Sequence, residues 1–300
     1  MKKKYVFLGD TDSINIELIS KSHSFLKNKV QYILIGSIEE LEKYLKKINS
    51  KLEINEIINP FNFKEFKSHN LNIYNIESSS KEISENLINQ IDISNFLANK
   101  TKIDLVTMPI NKYSLKKTLT FNGLTEHLGK INNKKTAMLM KGNIFSIIPI
   151  TTHINIKNVH KYLNQNKLNT FIKFIINQIK KKKYDLKFKK LKFLCYNPHC
   201  GEESLLGNED RTIFKTIEKF KKIKGPFPAD SAFTNNNLDT LFFSMYHDQA
   251  LIPFKILNKK SMNLTLGLNY RRISPAHGTA KDIKYQNLAD NLSYIECMLC

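Results

Sequence analysis

Three hundred residues, 41% hydrophobic and 10% aromatic, can bury one large core or two ordinary ones, so the chain is not a disordered one. Forty-seven Lys and Arg against 27 Asp and Glu give a net charge of +20. The lysines are scattered among many Asn and Ile, without an aromatic interleave or a known nucleic-acid module, which argues against nucleic acid as the partner. No apolar run approaches the ~18 residues that span a bilayer. The basic start, Met1-Lys2-Lys3-Lys4, precedes too short an apolar run for a signal peptide, so the expectation is a cytoplasmic chain without a membrane partner.

In chain order, Lys4 to Leu8 reads as a first strand ending at Gly9-Asp10, followed by a helix over roughly Ile14 to Asn28. Tyr32 to Ile35 is a second strand, and Ile38 to Ile48 has helical apolar spacing. Short strand-like pieces and the Pro60 turn fill residues 51 to 80, and Ser79-Ser80 is placed to cap a helix from Lys81 to Lys100. Ile103 to Met108 is a strand whose end carries Pro109-Ile110-Asn111-Lys112. After a loop through Phe121 to His127, strand and helix units resume. They comprise the strand Ile144–Ile150, helices within Lys157 to Lys183, the strand Leu191–Tyr196, a helix near Asp210 to Lys222, the strand Leu241–Met245, a strand from Met262 to Leu268, and a last helix near Ala289 to Leu299. The run Lys180–Lys183 suits the carboxyl end of a helix. Alternating strands and helices predict an α/β fold, with two lobes meeting near residues 125 to 140.

Three of these strands end in a histidine. One runs into Thr151-Thr152-His153, another into Asn197-Pro198-His199, and the third into Tyr246-His247-Asp248-Gln249. In parallel α/β sheets ligands bind beyond the carboxyl ends of strands. Three neutral imidazoles from such ends suit a catalytic divalent cation with an open coordination position, whereas a single strand-end histidine is usually only a hydrogen-bonded residue. Asp248 is placed either to orient an imidazole or to cap a helix. Lys112, Lys255 and Arg272 follow strands, where a phosphate or carboxylate needs cations; exposed charge is the plainer reading in so lysine-rich a chain. Thr125 and Asn263 are weaker hydrogen-bonding candidates, and His23, His69, His127 and His160 read as surface or helix residues. Cys195, Cys200, Cys297 and Cys300 make no secreted disulfide framework; together they form a zinc set in principle, with incidental thiols the simpler reading. Neither a Gly-x-Gly-x-x-Gly fingerprint nor a P-loop occurs.

Together these stretches resemble a family. Pro109-Ile110-Asn111-Lys112, Gly123-Leu124-Thr125-Glu126, Thr151-Thr152-His153-Ile154 and Asn197-Pro198-His199-Cys200-Gly201-Glu202 stand in the order found in the 4-hydroxythreonine-4-phosphate dehydrogenases of pyridoxal phosphate biosynthesis. So do Gly225-Pro226-Phe227-Pro228-Ala229-Asp230, Met245 to Gln249, Asn263 to Leu268 and Ser274-Pro275-Ala276-His277-Gly278-Thr279-Ala280. The resemblance covers nearly the whole chain. It implies a two-lobed α/β/α fold like that of the isocitrate and isopropylmalate dehydrogenases, with residues 1–130 plus about 275–300 in the first lobe and 131–274 in the second. It implies a homodimer with the active site at the interface, NAD as oxidant through contacts that stay unassigned, and a divalent metal (Zn, Mg or Co) on His153, His199 and His247. Substrate-binding positions fall on Thr125, Lys255, Asn263 and Arg272, and Lys255 and Asp230 are the catalytic candidates. The implied reaction is oxidation and decarboxylation of 4-phosphooxy-L-threonine to 3-amino-2-oxopropyl phosphate, the metal acidifying the alcohol and hydride passing to the nicotinamide.

The chain departs from the family pattern at Leu124, where the family has His, at Thr11 to Glu17, which replaces a glycine-rich motif, and at Ala276, where Asp is common. Losing one substrate contact costs about 1–3 kcal/mol. A decarboxylase or dehydrogenase of a related phosphorylated acid, and a degenerate homologue with weak activity, therefore stand as alternatives.

Overall fold

The computed structural model describes residues 1–77, 82–111, 115, 123–234 and 237–300. The expected Ser79-Ser80 cap, Lys112 and Phe121-Asn122 lie outside the described residues. The chain forms two units, Met1–Asn132 with Leu268–Cys300, and Asn133–Gly267.

In the first unit, strands β1 (Lys2–Phe7), β2 (Val30–Gly36), β3 (Ile54–Glu56), β4 (Leu71–Asn75), β5 (Asp104–Thr107) and β12 (Arg272–Pro275) lie in the order β3-β4-β2-β1-β5-β12, every pairing parallel. Tyr5, Val6 and Phe7 are wholly buried, as are Ile33, Leu34 and Ile35. Such unbroken apolar runs are what a parallel strand needs when both its faces are covered. The helix Ile38–Lys47 shows why the flanking segments are helical. Ser37 accepts a hydrogen bond from Glu40 N at 3.3 Å, Glu39 and Glu40 occupy the first turn, Lys46 and Lys47 the last, and Leu41, Tyr44 and Leu45 form the buried stripe. Tyr5, Phe7, Ile35, Leu105, Leu128 and Tyr270 belong to one core cluster here.

In the second unit, β6 (Ala137–Gly142), β7 (Ser146–Pro149), β8 (Lys190–Leu194), β9 (Ile223–Phe227), β10 (Thr240–Ser244) and β11 (Ser261–Leu266) run in the order β11-β6-β7-β10-β8-β9. From β7 to β9 the pairing is parallel; β6 is antiparallel to both β11 and β7. The β6–β7 turn is fastened by Asn258, whose Oδ1 accepts from Ile144 N at 2.7 Å and Phe145 N at 3.3 Å. Around Phe145 pack Phe233, Phe242 and Phe254, with ring centroids 5.3 to 5.9 Å away.

The structure sharpens three sequence expectations. β6 falls where only a lobe boundary was expected, because an apolar run of this length signals no partner by itself. The helices expected within Lys157 to Lys183 are a 3-10 helix, Ile156–Tyr162, and an α-helix, Gln165–Ile179, which the Asn164 side chain caps by accepting from Asn166 N and Lys167 N at 2.9 and 3.3 Å. The chain rejoins the first unit at Leu268 rather than near residue 275, since β12 pairs with β5 and carries Arg272 with it. Among the described residues no helix is long and apolar enough to cross a membrane.

Candidate active site

In the second unit, the strand order β7-β10-β8 sets the three histidine-bearing carboxyl ends side by side on one edge of a parallel sheet. The rings of His153 and His247 face each other with centroids 5.7 Å apart. His247 opens the helix His247–Leu257, and its Nδ1 lies 2.7 Å from Asp248 Oδ1. An imidazole that donates from Nδ1 presents its Nε2 lone pair to a ligand. Thr151 is tied to β10, its N and Oγ1 both donating to Met245 O at 3.2 and 2.6 Å.

His199 lies on a left-handed turn, with φ of 49° there and positive φ continuing through Ser204. Non-glycine residues reach this region only when neighbours hold them there. Asp210, buried, supplies part of that hold by accepting from Tyr196 N at 2.6 Å and Asn197 N at 2.9 Å. Among the described residues, no group of three or more His, Cys, Asp and Glu side chains is close enough to hold a metal ion. The structure therefore brings His153 and His247 together without closing a three-ligand set. The four cysteines are free.

The remaining predicted residues of this unit stand on separate elements. Lys255 shares a helix with His247, but eight residues of helix carry it about 12 Å along the axis, where it is exposed in the last turn. Asp230 is exposed in the turn after β9, its Oδ1 accepting from Ser231 N at 3.0 Å. Asn263 on β11 sits opposite Met140, and its buried Oδ1 has no hydrogen-bond partner among the described residues. A buried acceptor left open in this way is expected to meet a donor from a ligand or ordered water.

In the first unit, Arg272 and Thr125 come together. Arg272 is only 3% exposed; its Nε donates to Thr107 Oγ1 at 2.8 Å and its Nη1 to Thr125 Oγ1 at 3.3 Å. Burial lowers its pKa to about 10, against the opposing pull of Tyr270 and Glu126, so the guanidinium stays charged at neutral pH. Thr107 escaped the sequence reading. Its one signal is a hydroxyl at the end of an otherwise apolar buried strand. Leu124, in the helix Leu124–Ile131, packs against the core cluster, which explains how an apolar residue is accommodated at that position.

The altered segment after β1 is internally consistent. Gly9 has φ of +73°, and a Cβ there would lie 2.5 Å from Pro109 O, so the turn requires glycine. Asn15 Nδ2 donates to Leu8 O, Asp10 O and Pro109 O at 3.0, 3.1 and 2.8 Å. Asp12 pairs with Lys281 and Lys284, which hold its carboxyl below the ordinary range. Buried Glu17 accepts from Ala289 N at 2.9 Å.

The arrangement has counterparts of known structure. The chain aligns over 99% of its length with 98% of the crystal structure of 4-hydroxythreonine-4-phosphate dehydrogenase from Klebsiella pneumoniae, with a TM-score of 0.81 and 26% identity. A 4-hydroxythreonine-4-phosphate dehydrogenase from Burkholderia phymatum, 23% identical, matches the fold with a TM-score of 0.76. Fold and strand-end site thus define an α/β protein of the isocitrate/isopropylmalate dehydrogenase-like class. Residues 28–300 match the family model described as pyridoxal phosphate biosynthetic protein PdxA, and the chain belongs to that family. Relatives named 4-hydroxythreonine-4-phosphate dehydrogenase include one from Hydrogenobaculum sp., 36% identical over 96% of this chain and 94% of its own. Another, from Sulfurihydrogenibium sp., is 32% identical over 99% of this chain and 97% of its own.

Proposed function

We propose that the chain oxidises and decarboxylates 4-phosphooxy-L-threonine to 3-amino-2-oxopropyl phosphate, using NAD and a divalent cation. It works as a cytoplasmic homodimer with its active site at the subunit interface. The observation that carries this reading is the pair of strand-end imidazoles, 5.7 Å apart, in a chain whose full-length relatives bear that enzyme's name.

The donor chemistry at these imidazoles fits a divalent cation. Asp248, on His247 Nδ1, leaves Nε2 free to ligate; His153 lies beside it, and His199, in the loop after the adjacent strand, would have to move in to supply the third imidazole. When bound, the cation acidifies a secondary alcohol and polarises the neighbouring carbonyl oxygen. The chain's own residues do the rest. Arg272 offers the substrate's phosphate or carboxylate a permanent charge, held in place by two threonine hydroxyls. Asn263 Oδ1 accepts from a substrate hydroxyl or ammonium. Lys255 and Asp230 are the proton carriers in this reading. NAD rests on the dehydrogenase name that the relatives carry, and its contacts have no assigned residues.

A coupled assay tests the whole reading. Purified protein with NAD and 4-phosphooxy-L-threonine is expected to form NADH with added Zn, Mg or Co and to stop when chelator is added. No NADH above background with any of the three cations overturns it. Sedimentation at micromolar protein is expected to show a dimer.

A further inference from the structure

Beneath the histidine-bearing edge, one side chain bridges two strand ends. The β10–β8 ladder ends at the pair Phe243 and Phe193. Past that point β10 turns towards His247, while β8 runs into the left-handed loop of His199. Two residues past that pair stand Met245 N and Cys195 O, which the parallel register does not join to each other. Neither is left open, because the primary amide of Gln249 lies between them. Its Oε1 accepts from Met245 N at 3.2 Å and from Ser244 Oγ at 2.7 Å, and its Nε2 donates to Cys195 O at 2.8 Å.

On the other side of the same residue, Met245 O accepts from Thr151 N and Oγ1. Thr151, Met245, Gln249 and Cys195 thus make a continuous hydrogen-bonded line across the ends of β7, β10 and β8. His153 and His247 each follow that line by two residues, and His199 follows it by four.

We propose that Gln249 is a positioning residue, an amide clamp that sets the separation of the His247 turn and the His199 loop. The proposal builds on the cation reading above, since it concerns the same three imidazoles. Glutamine is chemically singled out here. A strand N–H and a strand C=O need one acceptor and one donor from the same planar group, as a peptide unit supplies them. Glutamate has the same shape and keeps both acceptor contacts, but its carboxylate faces the Cys195 carbonyl with no proton to give. Asparagine is one methylene too short to span the gap.

The test uses full-length Gln249→Glu and Gln249→Leu, with His247→Ala as a control for cation binding. Hydrogen exchange is read first, on metal-free protein. Both variants are expected to raise exchange together over residues 195–201 and 244–249, by about tenfold more than over the rest of the same unit. Co²⁺ titration is read second. Affinity is expected to fall about 10–100-fold in both, with a changed Co²⁺ absorption spectrum, as for loss of other outer contacts around a metal site. A variant that merely loosened the fold would raise exchange evenly across the unit without altering the spectrum. Exchange that rises only over 244–249, or wild-type Co²⁺ affinity and spectrum in Gln249→Glu, overturns the clamp. If the parent protein binds no Co²⁺ but the coupled exchange is seen, the cation reading fails and the clamp stands.

Discussion

At Arg272 a single residue separates binding from stability. Its charge is buried, held by two hydroxyls and favoured by the nearby Glu126 carboxylate, and it is the group best suited to bind a substrate anion. Arg272→Met is expected to lower kcat/KM at least 100-fold, about 3 kcal/mol of lost charge-assisted binding, a larger loss than the fall in melting temperature accounts for. Steady-state kinetics with calorimetric melts would show it; parallel losses of activity and stability would point to a structural role instead. His23 makes a second, pH-dependent case. It is buried, its Nδ1 2.6 Å from Tyr32 Oη, and burial pushes its pKa below the ordinary value. Above the unfolded histidine value of about 6.5 both states are neutral there, so nothing is lost. As pH falls below it, the unfolded chain takes up a proton that the folded chain resists, and stability drops. His23→Gln, which can still bond Tyr32, is expected to lose less melting temperature than the parent between pH 7 and pH 5.

Among the elements, the β6–β7 turn has one keystone. Asn258 is 2% exposed, closes the end of the His247–Leu257 helix by donating to Phe254 O at 3.1 Å, and covers two backbone N–H groups of the turn. Asn258→Ala strands those N–H groups in a dry environment. The expected cost is about 2–4 kcal/mol, from one or two buried donors at 1–3 kcal/mol each, measurable as a lower urea midpoint with unchanged slope. Little change would mean that water reaches the turn. The crowding there is tight enough that a Cβ on Gly142 would lie 2.1 Å from Asn258 Oδ1, so Gly142→Ala should act in the same direction.

On the scale of the whole molecule, cation binding should appear as stability. A ligand held only by the folded state adds RT ln(1 + [L]/Kd), about 2.7 kcal/mol at a hundredfold excess over Kd. Zn or Co is expected to raise the melting temperature by several degrees, chelator to reverse the rise, and His153→Ala or His247→Ala to abolish it. A shift that survives both substitutions would place the cation elsewhere. The net charge of +20 makes a different contribution. It keeps molecules apart and loosens each fold slightly through self-repulsion, so moderate salt should raise the melting temperature.

Family membership, the α/β class and the strand-end histidines were legible in the residues themselves. Apolar runs such as Tyr5–Leu8 and Leu241–Met245 read as strands covered on both faces, so polar residues gather at their ends. Spacing along the chain could not show which ends are neighbours, and only the tertiary structure put β7, β10 and β8 side by side. It also moved Lys255 away from His247, because the residues between them coil into helix, and it paired Arg272 with Thr107, whose hydroxyl looks like any other in the sequence. Gln249 was visible only as part of a motif. Its role depends on two strands parting by the width of one amide, a distance that folding alone sets.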